Sequence, residues 1–64
     1  MVKSVGGRLR EERTRLGMSP ADFAELAGKT SKSQERYEAD DRRPDTAYLS
    51  AVSEHGVDVL YVLT

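Results

Sequence analysis

"SPADFAELAGKTSKSQERYE", residues Ser19 to Glu38, decides how this chain is read. Ser19 suits a helix N-cap, Pro20 the first helical position, and Asp22 the position where a capping box places its reciprocal side chain. Met18 before the cap and Phe23 four positions into the helix are spaced for a hydrophobic staple. Phe23, Leu26 and Ala27 form an apolar stripe that ends at Gly28, a residue able to turn left-handed. A second helix follows almost at once. Thr30 or Ser31 can cap it, Ser31 and Gln34 have capping-box spacing, and the helix is expected to reach about Ala39. Two short helices crossing steeply need a small residue at their closest approach, and Ala24, four positions before Gly28, supplies it. Phe23 and Ala27 on the first helix and Tyr37 on the second pin the pair to a core. The stretch carries three basic and four acidic side chains, a poor balance for a surface that approaches phosphates.

The flanks continue the helical pattern. Val5, Leu9 and Leu16 lie near one stripe of a first helix that ends at Gly17, and Arg13 falls on that same stripe. An arginine on the buried side of a helix needs a fixed anionic partner. Downstream, "DDRRP" is a loop ending at Pro44, and Asp45 caps a fourth helix with Tyr48, Leu49, Ala51 and Val52 inward, closed by Gly56. The β-branched content of "VDVLYVLT" suits a strand, but Asp58 as a cap and the short length favour a last helical turn. No segment alternates with period two for long, and there is no internal repeat. The expectation is an all-α domain.

Composition narrows the function classes. The chain has 64 residues, no cysteine and one histidine. That excludes a disulfide framework, a cysteine-ligated metal and a histidine-rich metal site, and no cofactor is expected. A third of the residues are charged and 38% are hydrophobic, the balance of one globular domain over residues 1–64. No apolar run is long enough to span a bilayer and no signal-peptide core is present, so a cytoplasmic domain is expected. An enzyme is not: His55 sits at a helix end with no triad geometry, and Gly6–Gly7 lacks the Lys-Ser or Lys-Thr of a phosphate loop. A chain this short leaves little room for a small-molecule pocket. Net charge is −1, but all ten lysines and arginines lie between Lys3 and Arg43. Residues 1–16 carry +3 and residues 44–64 carry −3. This asymmetry suggests two faces with different partners.

Further stretches extend the pattern over nearly the whole chain: "GRLREERTRLGMS", "AELAG", "RYEADDRRPD" and "YLSAVSEHGVDVLYVLT". In these the chain resembles the Cro and phage-repressor (XRE-type) helix-turn-helix regulators. The resemblance implies a compact, lambda-repressor-like bundle of five helices, with the helix-turn-helix at about residues 20–39. The third helix would lie in the major groove of double-stranded DNA and the second would brace the backbone. Carried over position by position, Ser31, Lys32, Glu35 and Arg36 face base edges, with Gln34 a further candidate. Thr30, Arg42 and Arg43 hold phosphate. Arg13 and Glu38 match a buried ion pair between the first helix and the end of the third. The implied function is a sequence-specific transcriptional regulator of bacterial or phage type, acting as a repressor.

The chain departs from that pattern in four places. Lys29 and Gln34 stand where apolar residues are usual, and both are expected to weaken the anchoring of the third helix. Pro20 replaces a glutamine. Asp40 takes the place of a glycine in a left-handed position. Arg42 or Arg43 is expected to neutralise Asp40 and Asp41. These departures keep a second reading open, a protein-interaction or antitoxin module whose DNA binding is weak or lost. Two short reading helices are weak alone, so a homodimer is expected through Val57, Val59 and Tyr61, with Leu60 and Leu63. Alternatively, Val59, Leu60 and Leu63 complete the core of a single chain.

Overall fold

Buried side chains from every helix meet in one core: Leu9, Phe23, Tyr37, Tyr48, Val52 and Val62, with Val57 from the last loop. The computed structural model describes residues 3–64, and among these it contains five helices and no strand. They are α1 (Val5–Arg15), α2 (Pro20–Leu26), α3 (Ser31–Glu38), α4 (Thr46–Ser53) and α5 (Val59–Leu63). The α2 and α3 helices pack most extensively, α1 lies against α3 and α5, and α4 touches α2. The globule measures 30 × 22 × 22 Å. No described helix is long and apolar enough to cross a membrane.

The helix starts follow capping chemistry. The hydroxyls of Ser4, Ser19 and Thr30 accept from the backbone N–H three residues on, as do the carboxylates of Asp45 and Asp58. Each satisfies a donor that the first turn leaves open. Of the two candidate caps of α3, Thr30 and Ser31, the structure uses Thr30, so no Ser31–Gln34 box forms. Thr30 takes the role, its Oγ1 accepting from Ser33 N at 3.2 Å, which frees Gln34 to point inward.

The helix ends share one closure. After α2, Gly28 adopts φ +67°, its N–H bonds Glu25 O, and Lys29 N bonds Ala24 O at 2.9 Å. After α3 the same two bonds run from Asp40 and Asp41 to Tyr37 O and Arg36 O, with Asp40 at φ 62°. This is the Schellman arrangement. Asp40 fills a position that glycine otherwise takes because its short carboxylate has a second task. Its Oδ1 accepts from Gly6 N at 2.9 Å, and the Ser4 hydroxyl, then this N–H, hold the carboxylate below its ordinary range. Asp40 is therefore spent on the start of α1. Contrary to expectation, no described ion pair joins Asp40 or Asp41 to Arg42 or Arg43.

Glu12 is 6% exposed and unforeseen. Its carboxylate takes Arg15 Nε at 3.0 Å and Nη2 at 2.8 Å, and it accepts Asp58 N at 2.8 Å. Arg15 also donates to Gly56 O at 2.9 Å. The α1 helix thus grips the α4–α5 connection. The Arg15 guanidinium, then the Asp58 N–H, hold the Glu12 carboxyl below its ordinary range. A group depressed in the folded state stabilises above its unfolded pKa of about 4.3 and loses that contribution as pH falls below it. Glu12→Gln is expected to melt a few degrees below the parent at pH 7, with the gap narrower at pH 3. A gap of equal size at both pH values, followed by circular dichroism, removes Glu12 from the acid response.

Candidate nucleic-acid interface

The α3 helix turns two side chains fully inward, Gln34 and Tyr37. Its opposite face presents Ser31, Lys32, Glu35 and Arg36, all exposed. Lys32 and Arg36 stand one turn apart on that face, as side chains four residues apart do. Arg42 and Arg43, also exposed, follow in the loop before Pro44. Thr30 lies at the mouth of α3, but its hydroxyl is already engaged with the backbone and side chain of Ser33.

The charge problem of the sequence resolves through pairing. Arg13 grips Glu38 with two bonds, Nε at 2.8 Å and Nη2 at 3.0 Å, and its third nitrogen donates to Met18 O at 2.9 Å. The two side chains are only 13% and 11% exposed, so the Arg13–Glu38 pair implied by the resemblance is present and nearly closed to solvent. The carboxylate in turn raises the Arg13 pKa. Lys29 pairs with Asp45 at 3.3 Å, linking the α2–α3 turn to the cap of α4. With Glu38 nearly closed to solvent, the surface from α3 to Pro44 keeps three exposed acids, Glu35, Asp40 and Asp41, of which Asp40 is bonded to the start of α1. Against them stand Lys32, Arg36, Arg42 and Arg43, none with a carboxylate in ion-pair range among the described residues. Arg36 in particular has no described ion pair with Glu35 or Asp40. The result is a net basic ridge with unengaged guanidinium groups, suited to phosphates and to the acceptor edges of bases.

Gln34 points inward and has the partners that an inward polar residue needs. It is fully buried. Its amide donates to Glu38 Oε2 at 2.7 Å, and its carbonyl oxygen accepts the Tyr48 hydroxyl. Among the described residues no buried side-chain polar atom lacks a partner. A polar residue in a core is costly only when unpaired.

The expected dimer residues separate into two groups. Val57 is 5% exposed and belongs to the core, since the chain turns inward between α4 and α5; its assignment to an interface is corrected. Val59 is half-buried against the same core. Tyr61 is held by its own α1: its hydroxyl donates to Glu11, its carbonyl accepts Arg8 Nη1 at 3.2 Å, and the Arg8 guanidinium lies 5.3 Å from its ring centre. Leu60 at 73% and Leu63 at 53% exposure are the side chains left bare, so these two do not complete the core. Val5, expected inward on the α1 stripe, is also exposed and lines a groove with Leu63, Tyr37, Pro44, Arg42 and Arg43.

Compared with family models, with curated proteins and with solved structures, the chain matches none. Its functional reading rests on the geometry above.

Proposed function

We propose that this domain binds double-stranded DNA in a sequence-specific manner and acts as a transcriptional repressor of bacterial or phage type. In this reading the bundle is a lambda-repressor-like domain, α2 and α3 are its helix-turn-helix, and α3 enters the major groove. The observation that carries the reading is the set of four unpaired basic side chains on the outer face of α3 and the loop after it. Of the other lysines and arginines, Arg13, Arg15, Lys29 and Lys3 are ion-paired, whereas Arg8 and Arg10 on α1 are not. Lys32 and Arg36, with Ser31 and Glu35 beside them, read base edges; Arg42 and Arg43, in the loop after α3, hold the phosphate backbone. A second copy joins through Leu60 and Leu63, which puts the half-sites about 34 Å apart.

Selection of binding sites from random duplex DNA is the direct test. On the selected site, Arg36→Ala is expected to cost about 1–3 kcal/mol and to relax preference at one base pair. Arg43→Ala is expected to weaken selected and scrambled duplexes alike and to lower the salt slope by about one unit. Equal losses on both duplexes for Arg36→Ala remove α3 as the reader. The bare leucines Leu60 and Leu63 also favour a protein-interaction module, and absence of duplex binding at every salt concentration selects that reading instead.

A further inference from the structure

The α3 helix is held by an unusual set of contacts for a helix of eight residues. Its apolar anchoring inward comes from one ring, Tyr37, which packs on Tyr48 with centroids 4.7 Å apart and planes at 59°. The other inward side chain is Gln34. Tyr48 therefore serves both anchors: its ring packs on Tyr37 and its hydroxyl bonds Gln34. From Gln34 the bonds continue to Glu38, from Glu38 to Arg13 on α1, and from Arg13 to Met18 O before α2. One hydrogen-bonded chain thus ties α3 to α4, to α1 and to the start of α2.

We infer that Gln34 and Tyr48 are positioning residues that fix the rotation of α3 about its axis, and through it the base selectivity of Lys32 and Arg36. The inference rests on the DNA-reading proposal above. Apolar contacts are non-directional and tolerate a small rotation of a helix in its groove, whereas hydrogen bonds weaken steeply with angle. Gln34 lies two residues from both Lys32 and Arg36, and so on the far side of the helix from them. A rotation of about 10° moves a point some 6 Å from the axis by about 1 Å. That is enough to misplace a bidentate arginine on a guanine, and too little to disturb the flexible phosphate contacts of Arg42 and Arg43.

The test compares the wild-type domain with Tyr48→Phe, Gln34→Val and the double variant. Each is measured on its selected site, on single-base variants of that site, and over a range of salt. Tyr48→Phe and Gln34→Val each leave a buried polar group without its partner, so both are expected to melt lower. The double variant removes hydroxyl and amide together and is expected to regain much of that melting temperature. Its discrimination between the selected site and a single-base variant is expected to stay about tenfold below wild type, within what one bidentate contact carries. Its salt slope is expected to match wild type, because the phosphate contacts persist. A double variant that discriminates as well as wild type overturns the positioning role while leaving DNA reading intact. A wild-type domain that selects no site overturns both. Where Gln34→Val is too unstable to measure, Tyr48→Phe, which removes one oxygen, carries the same comparison.

Discussion

Replacing Arg13 by methionine is expected to destabilise the domain by about 3–5 kcal/mol, the cost of stranding one member of a buried ion pair. Native domains have only about 5–15 kcal/mol in total, and short ones bury the least surface. Arg13→Met is thus expected to be largely unfolded at 37 °C. The magnitude follows from what is left behind. Methionine occupies the space of the arginine stem, so little cavity forms. Glu38, only 11% exposed, then keeps one donor, the Gln34 amide, where it had three. Met18 O loses its side-chain donor as well. Arg13→Lys is expected to recover only part of the loss, because one ammonium cannot reproduce two parallel N–H bonds and reach Met18 O. Glu38→Gln is expected to be milder than Arg13→Met, since it leaves an acceptor in place for a cation that retains Met18 O. Thermal melts of the three variants at pH 7 give the ranking. A melting temperature for Arg13→Met equal to that of the parent means the pair contributes nothing.

That pair also marks how far the sequence can be read. The position of Arg13 on an apolar stripe demands an anion, but nothing in helical periodicity points to Glu38, 25 residues away. The helices themselves are legible because their signals are local. Ser19, Asp45 and Asp58 sit three residues before the N–H groups they bond, and Gly17, Gly28 and Gly56 stand where the chain turns left-handed. Long-range partners carry no such local mark. Glu12 shares a helical face with Leu9 and Leu16, and this spacing flags it as inward no less than Arg13. Its partner Asp58 N is 46 residues on and appears only when α1 and the last loop meet. The tail fails for a different reason. In "VDVLYVLT" nearly every position is apolar, so periodicity cannot separate Val57 and Val62, which are buried, from Leu60 and Leu63, which are bare.

The candidate interface shows the same limit in electrostatic form. Counting charges along α3 makes it look unsuited to DNA. The count treats Glu38 as a free surface acid, whereas it is nearly closed to solvent and bonded to Arg13, and it misses that Asp40, though exposed, is bonded to the start of α1. Gln34 is the mirror case, a polar residue that looks like a defect until Tyr48 is brought beside it. Tyr48 itself was legible as an inward ring, and its hydroxyl was not. Burial raises its pKa above the ordinary phenol value, so it remains a donor to Gln34 at any pH at which the domain works.

Gly6→Ala is expected to destabilise the domain severely, against the usual sign of that substitution. In a helix, alanine is favoured over glycine by roughly 0.5–1 kcal/mol. At Gly6 a Cβ would lie 2.4 Å from Tyr37 O, 2.6 Å from Glu38 O and 2.8 Å from Glu38 C. All three are backbone atoms at the end of α3 and cannot rotate aside. Relief requires α1 to back away from α3, which stretches the Gly6 N to Asp40 Oδ1 bond of 2.9 Å. The same retreat strains the Arg13–Glu38 pair two turns along α1. Overpacking alone costs about 1–3 kcal/mol, and the coupled bonds add to it, so the propensity gain is outweighed. Gly7→Ala is the control from the same turn. Its Cβ would meet side chains alone, the Ser4 hydroxyl at 3.3 Å and Lys3 Cβ at 3.9 Å, which can shift, and the variant is expected to melt within a few degrees of the parent. Chemical denaturation of the two variants side by side tests the contact. A Gly6→Ala domain as stable as Gly7→Ala means that α1 does not approach α3 this closely. The Asp40 cap, which depends on that approach, is then lost with it.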